Sequence, residues 1–336
     1  MNKFLTLTDT QRRTVFEQTA GRIKLPVASV EKDFWVTEIL DVIYSLPYAD
    51  KLVFKGGTSL SKVWGVIRRF SEDIDIAIDP GIFGIVGDVT KKQLKRLRKE
   101  SSIFVRDTLV NDLVQVAQQF GLDDFLTIKA APDGDGDATY PEPRQIHVIY
   151  KSVLPYGSNP YLRDEVLLEV GARSLLEPTA NASVESFVAG TFPHLVSKDR
   201  AVRVNAAIAE KTFLEKAFLL HELFTTDGCR NANRKSRHMY DIYKMLEAGI
   251  ASKAISDDEL WESIRHHREI FTSIRDVDYT PDVRRRISLL PPENVMKEWR
   301  ADYDTMIVNM IYDASLPSFT DIVKGMKEVE NMFKRK

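Results

Sequence analysis

The chain has 336 residues, 43% of them apolar and 29% charged, with a formal net charge of −2. These totals describe an ordinary globular protein of about two domains and exclude a global field drawing it to nucleic acid or a membrane, so any polyanion must meet a local patch. The single cysteine, Cys229, excludes an intrachain disulfide framework and a cysteine-based zinc site.

The opening "MNKFLTLTDTQRR" lacks an apolar h-region, so no signal peptide is expected. No uninterrupted run of 18 apolar residues is present, so no membrane partner is expected, and the lone cysteine fits a reducing, cytoplasmic setting. From about Thr8 to Leu46 the pattern predicts two helices, with "SVEKDFWVTEILDVIYSL" the more periodic. "KLVFK" is a short β run ending at a glycine pair, and "SLSKVWGVI" predicts a helix after it. "EDIDIAID" alternates acid and isoleucine as a strand does. "KKQLKRLRKESSIFVRDTLVNDLVQVAQQF" predicts a long helix with a basic first half, and "FLTIKA", "RQIHVIYK" and "EVLLEVGAR" predict three strands. Between the first two of these, "PDGDGDATYPEP" is a loop by composition. It fails as a calcium loop because position six is Ala138 and position twelve Arg144. "ASVESFVAG" and "FPHLVS" stay ambiguous. From about Ala201 nearly everything is helical in pattern, and "TTDGCRNANRKSR" is the expected mobile loop. The boundary is placed near residues 178 to 195, giving a core over 1–185 with N-terminal helices and a helical domain over 186–336.

Within the "EDIDIAID" strand, residues two apart share a face. Asp73 and Asp75 therefore point one way, and Ile74, Ile76 and Ile78 the other, toward the core. Two carboxylates roughly 6–7 Å apart at Cα repel unless a cation sits between them. They read either as solvent-facing acids or as hard ligands for Mg²⁺, which takes one or two carboxylates plus substrate phosphates. Upstream, "KGGTS" follows a strand and opens a helix. Gly56 and Gly57 permit close approach of a phosphate, and Thr58 and Ser59 add hydroxyls; the alternative is a plain helix cap. A Walker A reading fails, because the glycine needed before Lys62 is Ser61.

A strand, a Gly-Gly turn, a helix and an Asp-x-Asp strand together resemble the polymerase-β-like nucleotidyltransferase fold: an α/β (α+β) core with a mixed sheet, here followed by a helical C-terminal domain. "FKGGTSLSK…RRFSEDIDI" is similar to the AbiEii/AbiGii-type toxin nucleotidyltransferases, the group that includes the MenT toxins. "VEKDFWVTEIL", "VLLEVGARSLLEP", "EKTFLEKAFLLHE…RKSRHMYDIYKM" and "DYDTMIVNMIYDASLPSF" resemble further segments of that family, in order.

The resemblance implies that Asp73 and Asp75 bind Mg²⁺ or Mn²⁺, with Glu169 as a third acid; Glu169 reads equally as a partner for Arg173. It implies that Lys55, Gly56, Gly57, Thr58 and Ser59 cradle the triphosphate of an NTP, and that Ser71 belongs to the catalytic motif. Arg69 is assigned either to phosphate or to pairing with Glu72. Lys216 shares a helical stripe with Ala209, Phe213 and Leu220; alone it reads as snorkelling, and the family context assigns it to the triphosphate. Lys211 competes for that role but has Glu215 at i+4. Asp241 reads alone as a salt bridge to Arg237, and in the family context as the acid that orients the lysine, with His238 serving or capping that network. The C-terminal domain is thus expected to complete the active site. The basic runs at Lys91 to Lys99, "RKSR" and Arg284 to Arg286 are either solvated faces or contacts to an RNA backbone.

The implied activity is a metal-dependent nucleotidyltransferase (EC 2.7.7-type) moving NMP onto RNA, the 3′ end of tRNA, and so blocking translation in phage defence. A separate antitoxin protein is the implied partner. The rival readings are NMP transfer to a protein, as in AMPylation, and an inactive nucleotide-binding module.

Overall fold

A computed structural model describes residues 3–71, 73–87, 89–135, 139–155, 164–196, 201–313 and 315–336. Glu72, offered above as a partner for Arg69, and residues 136–138 of the Asp-Gly loop lie outside them. The chain divides into two compact units, Met1–Val63 with Ser71–Ala206, and Trp64–Phe70 with Ala207–Lys336. The later unit starts at Ala207 and takes in a seven-residue segment from the earlier part of the chain, Trp64–Phe70.

The first unit is built on a mixed seven-stranded sheet of order β3-β4-β5-β2-β1-β7-β6. Its strands are β1 (Leu52–Lys55), β2 (Asp73–Ile78), β3 (Leu126–Ala130), β4 (Arg144–Tyr150), β5 (Glu165–Gly171), β6 (Thr179–Val184) and β7 (Val202–Ala207). β2 runs antiparallel to β1 and parallel to β5. Ile74, Ile76 and Ile78 are at most 1% exposed, and Asp73 and Asp75 are half-buried on the other face, as the alternation requires. β7 is a strand where the pattern from about Ala201 reads as nearly all helical. Its Val202, Val204 and Ala206 alternate inward, and it pairs parallel with β1. Of the ambiguous stretches before it, "ASVESFVAG" resolves as the end of β6 and a one-turn helix, α6 (Phe187–Thr191), while "FPHLVS" follows that helix as a turn over its described residues, 192–196.

Helices α1 (Asp9–Ile23) and α2 (Val27–Tyr44) occupy the predicted places. A capping box between Thr8 and Gln11 starts α1. α2 is buried nearly throughout and carries Phe34 and Trp35 into an aromatic core. Phe34 meets Phe4 at 4.6 Å, and Trp35 stacks on Tyr150 at 5.6 Å. The charges that α2 buries are all bound. Glu31 accepts from Ser152 Oγ at 2.7 Å and Val153 N at 2.8 Å. Asp33 takes Lys62 Nζ at 2.5 Å and the Phe187 N–H at 2.8 Å. Lys62 ends α3 (Gly56–Lys62), which is shorter than predicted: it opens on the glycine pair and stops before Trp64. The long basic segment forms α4 (Lys91–Phe104), a π-helical stretch at Val105–Leu109, and α5 (Val110–Gln119).

The second unit is helical: α7 (Ala209–Phe224), α8 (Ser236–Glu247), α9 (Ile250–Ser256), α10 (Asp258–Phe271), α11 (Met296–Met310) and α12 (Phe319–Lys334). In its core Phe218 stacks on Trp261 at 4.9 Å, and Trp261 meets a tilted Phe333 at 5.3 Å. The loop expected to be mobile is tethered. Asp302 accepts from the N–H groups of Arg234 and Ser236, at 2.6 and 3.0 Å, and Trp299 Nε1 donates to the Cys229 carbonyl at 2.8 Å. No described helix is long and apolar enough to cross a membrane.

The Asp33–Lys62 pair is nearly sealed from solvent, with side chains 6% and 9% exposed. Removing one member of such a pair leaves a buried charge uncompensated, at a cost of about 3–5 kcal/mol. Asp33→Ala is expected to lower stability by that amount in chemical denaturation of the full chain; a loss of under about 1 kcal/mol would contradict the assignment.

Candidate functional site

In the first unit the candidate site starts where β1 hands over to α3. Lys55 ends β1 in extended conformation, and Gly56 then turns the chain with φ +78°. Side chains resist that conformation and glycine does not. Space imposes the same choice. The register sets Lys55 opposite Asp75, and a Cβ on Gly56 would stand 1.9 Å from Asp75 Oδ2 and 2.8 Å from its Cγ. The Asp75 carboxylate thus lies directly on the glycine backbone. Thr58 Oγ1 donates to the Asp73 carbonyl, tying α3 to the first residue of β2. Thr58 and Ser59 are each 1% exposed, so both hydroxyls are turned into the unit, where Ser59 Oγ has no hydrogen-bond partner. What the turn offers an anion is its backbone, because the first N–H groups of a helix lack intrahelical partners.

Register extends the site sideways. Lys55, Asp75, Glu169 and Gln145 form one row across β1, β2, β5 and β4; Asp73, Leu167, His147 and Lys129 form the next, across β2, β5, β4 and β3. Glu169 is held by Gln145, whose Nε2 donates to Oε1 at 3.0 Å. That bond, rather than Arg173, is its partner; Arg173 lies in the field of Glu142. Ser71 sits half-exposed in the loop before β2. Among the described residues, no three His, Cys, Asp or Glu side chains converge as a metal cage. The donors that fit a cation are therefore the hard oxygens of Asp73 and Asp75, with room kept by the missing Gly56 Cβ. Two carboxylates are what Mg²⁺ takes when phosphates complete its shell.

In the second unit a buried ion cluster forms on α7 and α8. Asp241 is fully buried, and Arg69 grips it in bidentate fashion, Nε to Oδ1 at 2.6 Å and Nη2 to Oδ2 at 2.8 Å. Lys216 Nζ lies 2.9 Å from Asp241 Oδ2 and 3.3 Å from His238 Nδ1. Burial opposes ionisation of Asp241, but Arg69 and Lys216 outweigh it and hold its carboxyl well below the usual range. Burial, helped by the Lys216 charge, pushes His238 far down, so its neutral ring accepts from the ammonium. Burial also lowers Lys216, with Asp241 opposing and Arg69 reinforcing the shift.

Arg69 has a partner that neither of its sequence assignments named. It is 2% exposed and committed to Asp241. Its backbone is fixed too: residue 69 bridges Ile311, Phe70 N donates to Met310 O at 2.6 Å, and Tyr312 N to Arg68 O at 3.0 Å. Asp241 therefore pairs with Arg69 and Lys216 rather than with Arg237. Lys211 is not on the surface either; it is fully buried, 4.0 Å from Glu215. Of the sequence-predicted residues, Lys55, Gly56, Gly57, Thr58, Ser59, Ser71, Asp73, Asp75 and Glu169 belong to the first unit. Arg69, Lys211, Lys216 and Asp241 belong to the second. Sequence reasoning missed Gln145 and the Arg69–Asp241 bond. Only the strand alternation placing Gln145 on the carboxylate face signalled either of them.

Comparison with known proteins then bears on the whole chain. The family model described as "Nucleotidyl transferase AbiEii toxin, Type IV TA system" matches residues 38–325. No curated protein matches. Among solved structures the chain is similar to the MenT4 nucleotidyltransferase toxin of Mycobacterium tuberculosis H37Rv. That match has 17% identity and a TM-score of 0.44, covering 97% of this chain and 98% of that one. The family match includes the Gly56 turn, the Asp73–Asp75 strand and the Lys216 and Asp241 helices, and the chain belongs to the AbiEii family of nucleotidyltransferase toxins.

Proposed function

We propose that this chain moves a nucleoside monophosphate from an NTP onto a hydroxyl of RNA, the 3′ end of a tRNA, and thereby blocks translation until a cognate antitoxin protein neutralises it. The observation that carries the reading is the Asp75 carboxylate pressed on Gly56 at the turn between β1 and α3. It sets an acid beside backbone N–H groups, the arrangement that a metal-charged triphosphate requires and that a purely solvated acid does not. In the reaction the acceptor oxygen bonds to the α-phosphorus while the bond from that phosphorus to the bridging oxygen breaks. Pyrophosphate departs, and the hydroxyl proton passes to a carboxylate or to water. Asp73 and Asp75 would hold Mg²⁺ or Mn²⁺, which when bound supplies charge neutralisation at the phosphate oxygens. Gln145 keeps Glu169 beside Asp75 as a proton acceptor. Lys216 has three donors, of which Asp241 and His238 take two. The third is left for a phosphate oxygen. The protein's contribution is positioning and electrostatics.

Incubation with labelled NTPs, total RNA and total protein tests the reading. Label is expected on small RNA in the presence of Mg²⁺, with Asp73→Asn and Asp75→Asn each reducing it by at least about a hundredfold while melting is unchanged. Label appearing on protein alone, or full activity in either variant, would contradict it.

The Lys216 ammonium exists only below its pKa, which burial lowers. The KM for NTP is therefore expected to rise with pH along a limb lying below the ordinary lysine value of about 10.5. In Asp241→Asn the carboxylate that favours the ammonium is gone, so the limb is expected to move to lower pH. A limb unmoved by that substitution would remove Lys216 from triphosphate binding.

A further inference from the structure

Between Lys91 and Lys99, α4 carries six cations and no carboxylate, in a chain whose total charge is −2. Lys91, Lys92, Lys95, Arg96 and Lys99 are exposed, while Leu97 is fully buried beneath them. Arg96 is matched by Glu100 at 2.8 Å, and Arg98 donates to the Tyr140 carbonyl at 2.9 Å. Lys99 lies 5.6 Å from the centre of the Tyr140 ring. Lys91, Lys92 and Lys95 form no ion pair among the described residues.

This placement costs the helix. Like charges repeat at i,i+4, in Lys91, Lys95 and Lys99 and again in Lys92 and Arg96, and such pairs oppose helix formation. The run also begins in the first turn, where the helix dipole is already positive and no acid is present. Several arginines elsewhere are balanced by acids. Arg106 pairs with Asp107 and Asp133, and Arg144 with Asp133. Arg284 and Arg286, two members of another basic run, are taken by Asp258 and Asp278. The "RKSR" run is drawn in through its backbone to Asp302. Of the three basic stretches, only α4 presents a row of exposed lysines without internal partners.

Its location narrows the ligand. Ser102 on α4 accepts from Arg144, which by alternation lies on the face of β4 opposite Gln145. α4 thus packs behind the sheet, and Arg96 also ties it to the Phe83 carbonyl in the turn after β2. The lysines are therefore out of reach of a triphosphate held by Asp73 and Asp75, and only an extended polyanion engages both. Lysine is depleted from protein–protein interfaces, whereas a phosphate backbone is bound by such residues. We propose that the exposed cations of α4 bind the phosphate backbone of the RNA acceptor at a distance from the reacting hydroxyl. The proposal rests on the transferase reading given above and assigns to it a grip on the body of the RNA.

The test is equilibrium binding of a bulk tRNA preparation to the full chain across a salt series, without NTP. It compares the wild type with the triple variant Lys91→Ala, Lys92→Ala, Lys95→Ala. Each phosphate contact contributes about 0.7–0.9 to the slope of log affinity against log salt, so the variant is expected to lose about two units of slope. Its affinity near 0.1 M salt is expected to fall roughly tenfold or more, with melting and NTP affinity unchanged. Wild-type slope and affinity in the variant, or no RNA binding by the wild type, would overturn the proposal. So would retained RNA binding in a variant that no longer holds an acidic protein partner, which would assign the face to that protein. Because the binding test omits NTP, it is independent of the labelling assay: a chain that binds RNA through α4 yet transfers no label in that assay would contradict the transferase reading and leave this surface standing.

Discussion

The contact on which the proposed chemistry of the first unit depends is that between the Asp75 carboxylate and the backbone of Gly56. A carboxylate that close to a main chain is tolerated only where no Cβ intervenes, and φ +78° at the same residue demands glycine independently. The antiparallel register of β1 and β2 makes the contact unavoidable, because it fixes Lys55 beside Asp75 and leaves the next residue to turn away. The Thr58 hydroxyl, bonded to the Asp73 carbonyl, then locks the helix to the strand. Turn, helix and acid pair are thus one rigid piece. Pre-organisation of that kind is what phosphoryl chemistry needs, since most of its barrier is met by placement and charge.

The second unit resolves a different problem. Arg69, Asp241 and Lys216 are buried together, and burying ions is costly unless each is fully engaged. Asp241 engages both of its oxygens with Arg69 and shares one with Lys216, so the cluster carries one net positive charge with His238 neutral. The excess belongs to the lysine, two of whose three donors are engaged by Asp241 and His238.

Much of this was legible in the chain. The two-residue period of Asp73 and Asp75 against three isoleucines identified both faces of β2, and the Gly-Gly turn before a hydroxyl pair identified the start of α3. Lys216 was found through its apolar stripe together with family context. What escaped was of two kinds. Arg69 and Asp241 are 172 residues apart, so no local pattern announces their bond. β7 was hidden by its brevity, and its alanines suit a helix until β1 supplies the neighbour that makes them a strand. Lys211 was misjudged because an i,i+4 acid suggests a surface pair, whereas α7 is buried on nearly all sides. Glu169 was located correctly on the carboxylate face, but its Gln145 partner depended on a register that composition does not reveal.

The most direct test is titration of a non-hydrolysable NTP analogue into Gly56→Ala, with and without Mg²⁺, alongside a melting curve. A methyl group there must displace the Asp75 carboxylate, and a shift of about 1 Å at such a centre costs about a hundredfold. Loss of the Mg²⁺-dependent part of the affinity by about that factor, in a chain that still melts cooperatively, is the predicted result. Undiminished metal-dependent binding by the alanine variant would contradict it, because the triphosphate would then lie somewhere other than between that turn and those acids.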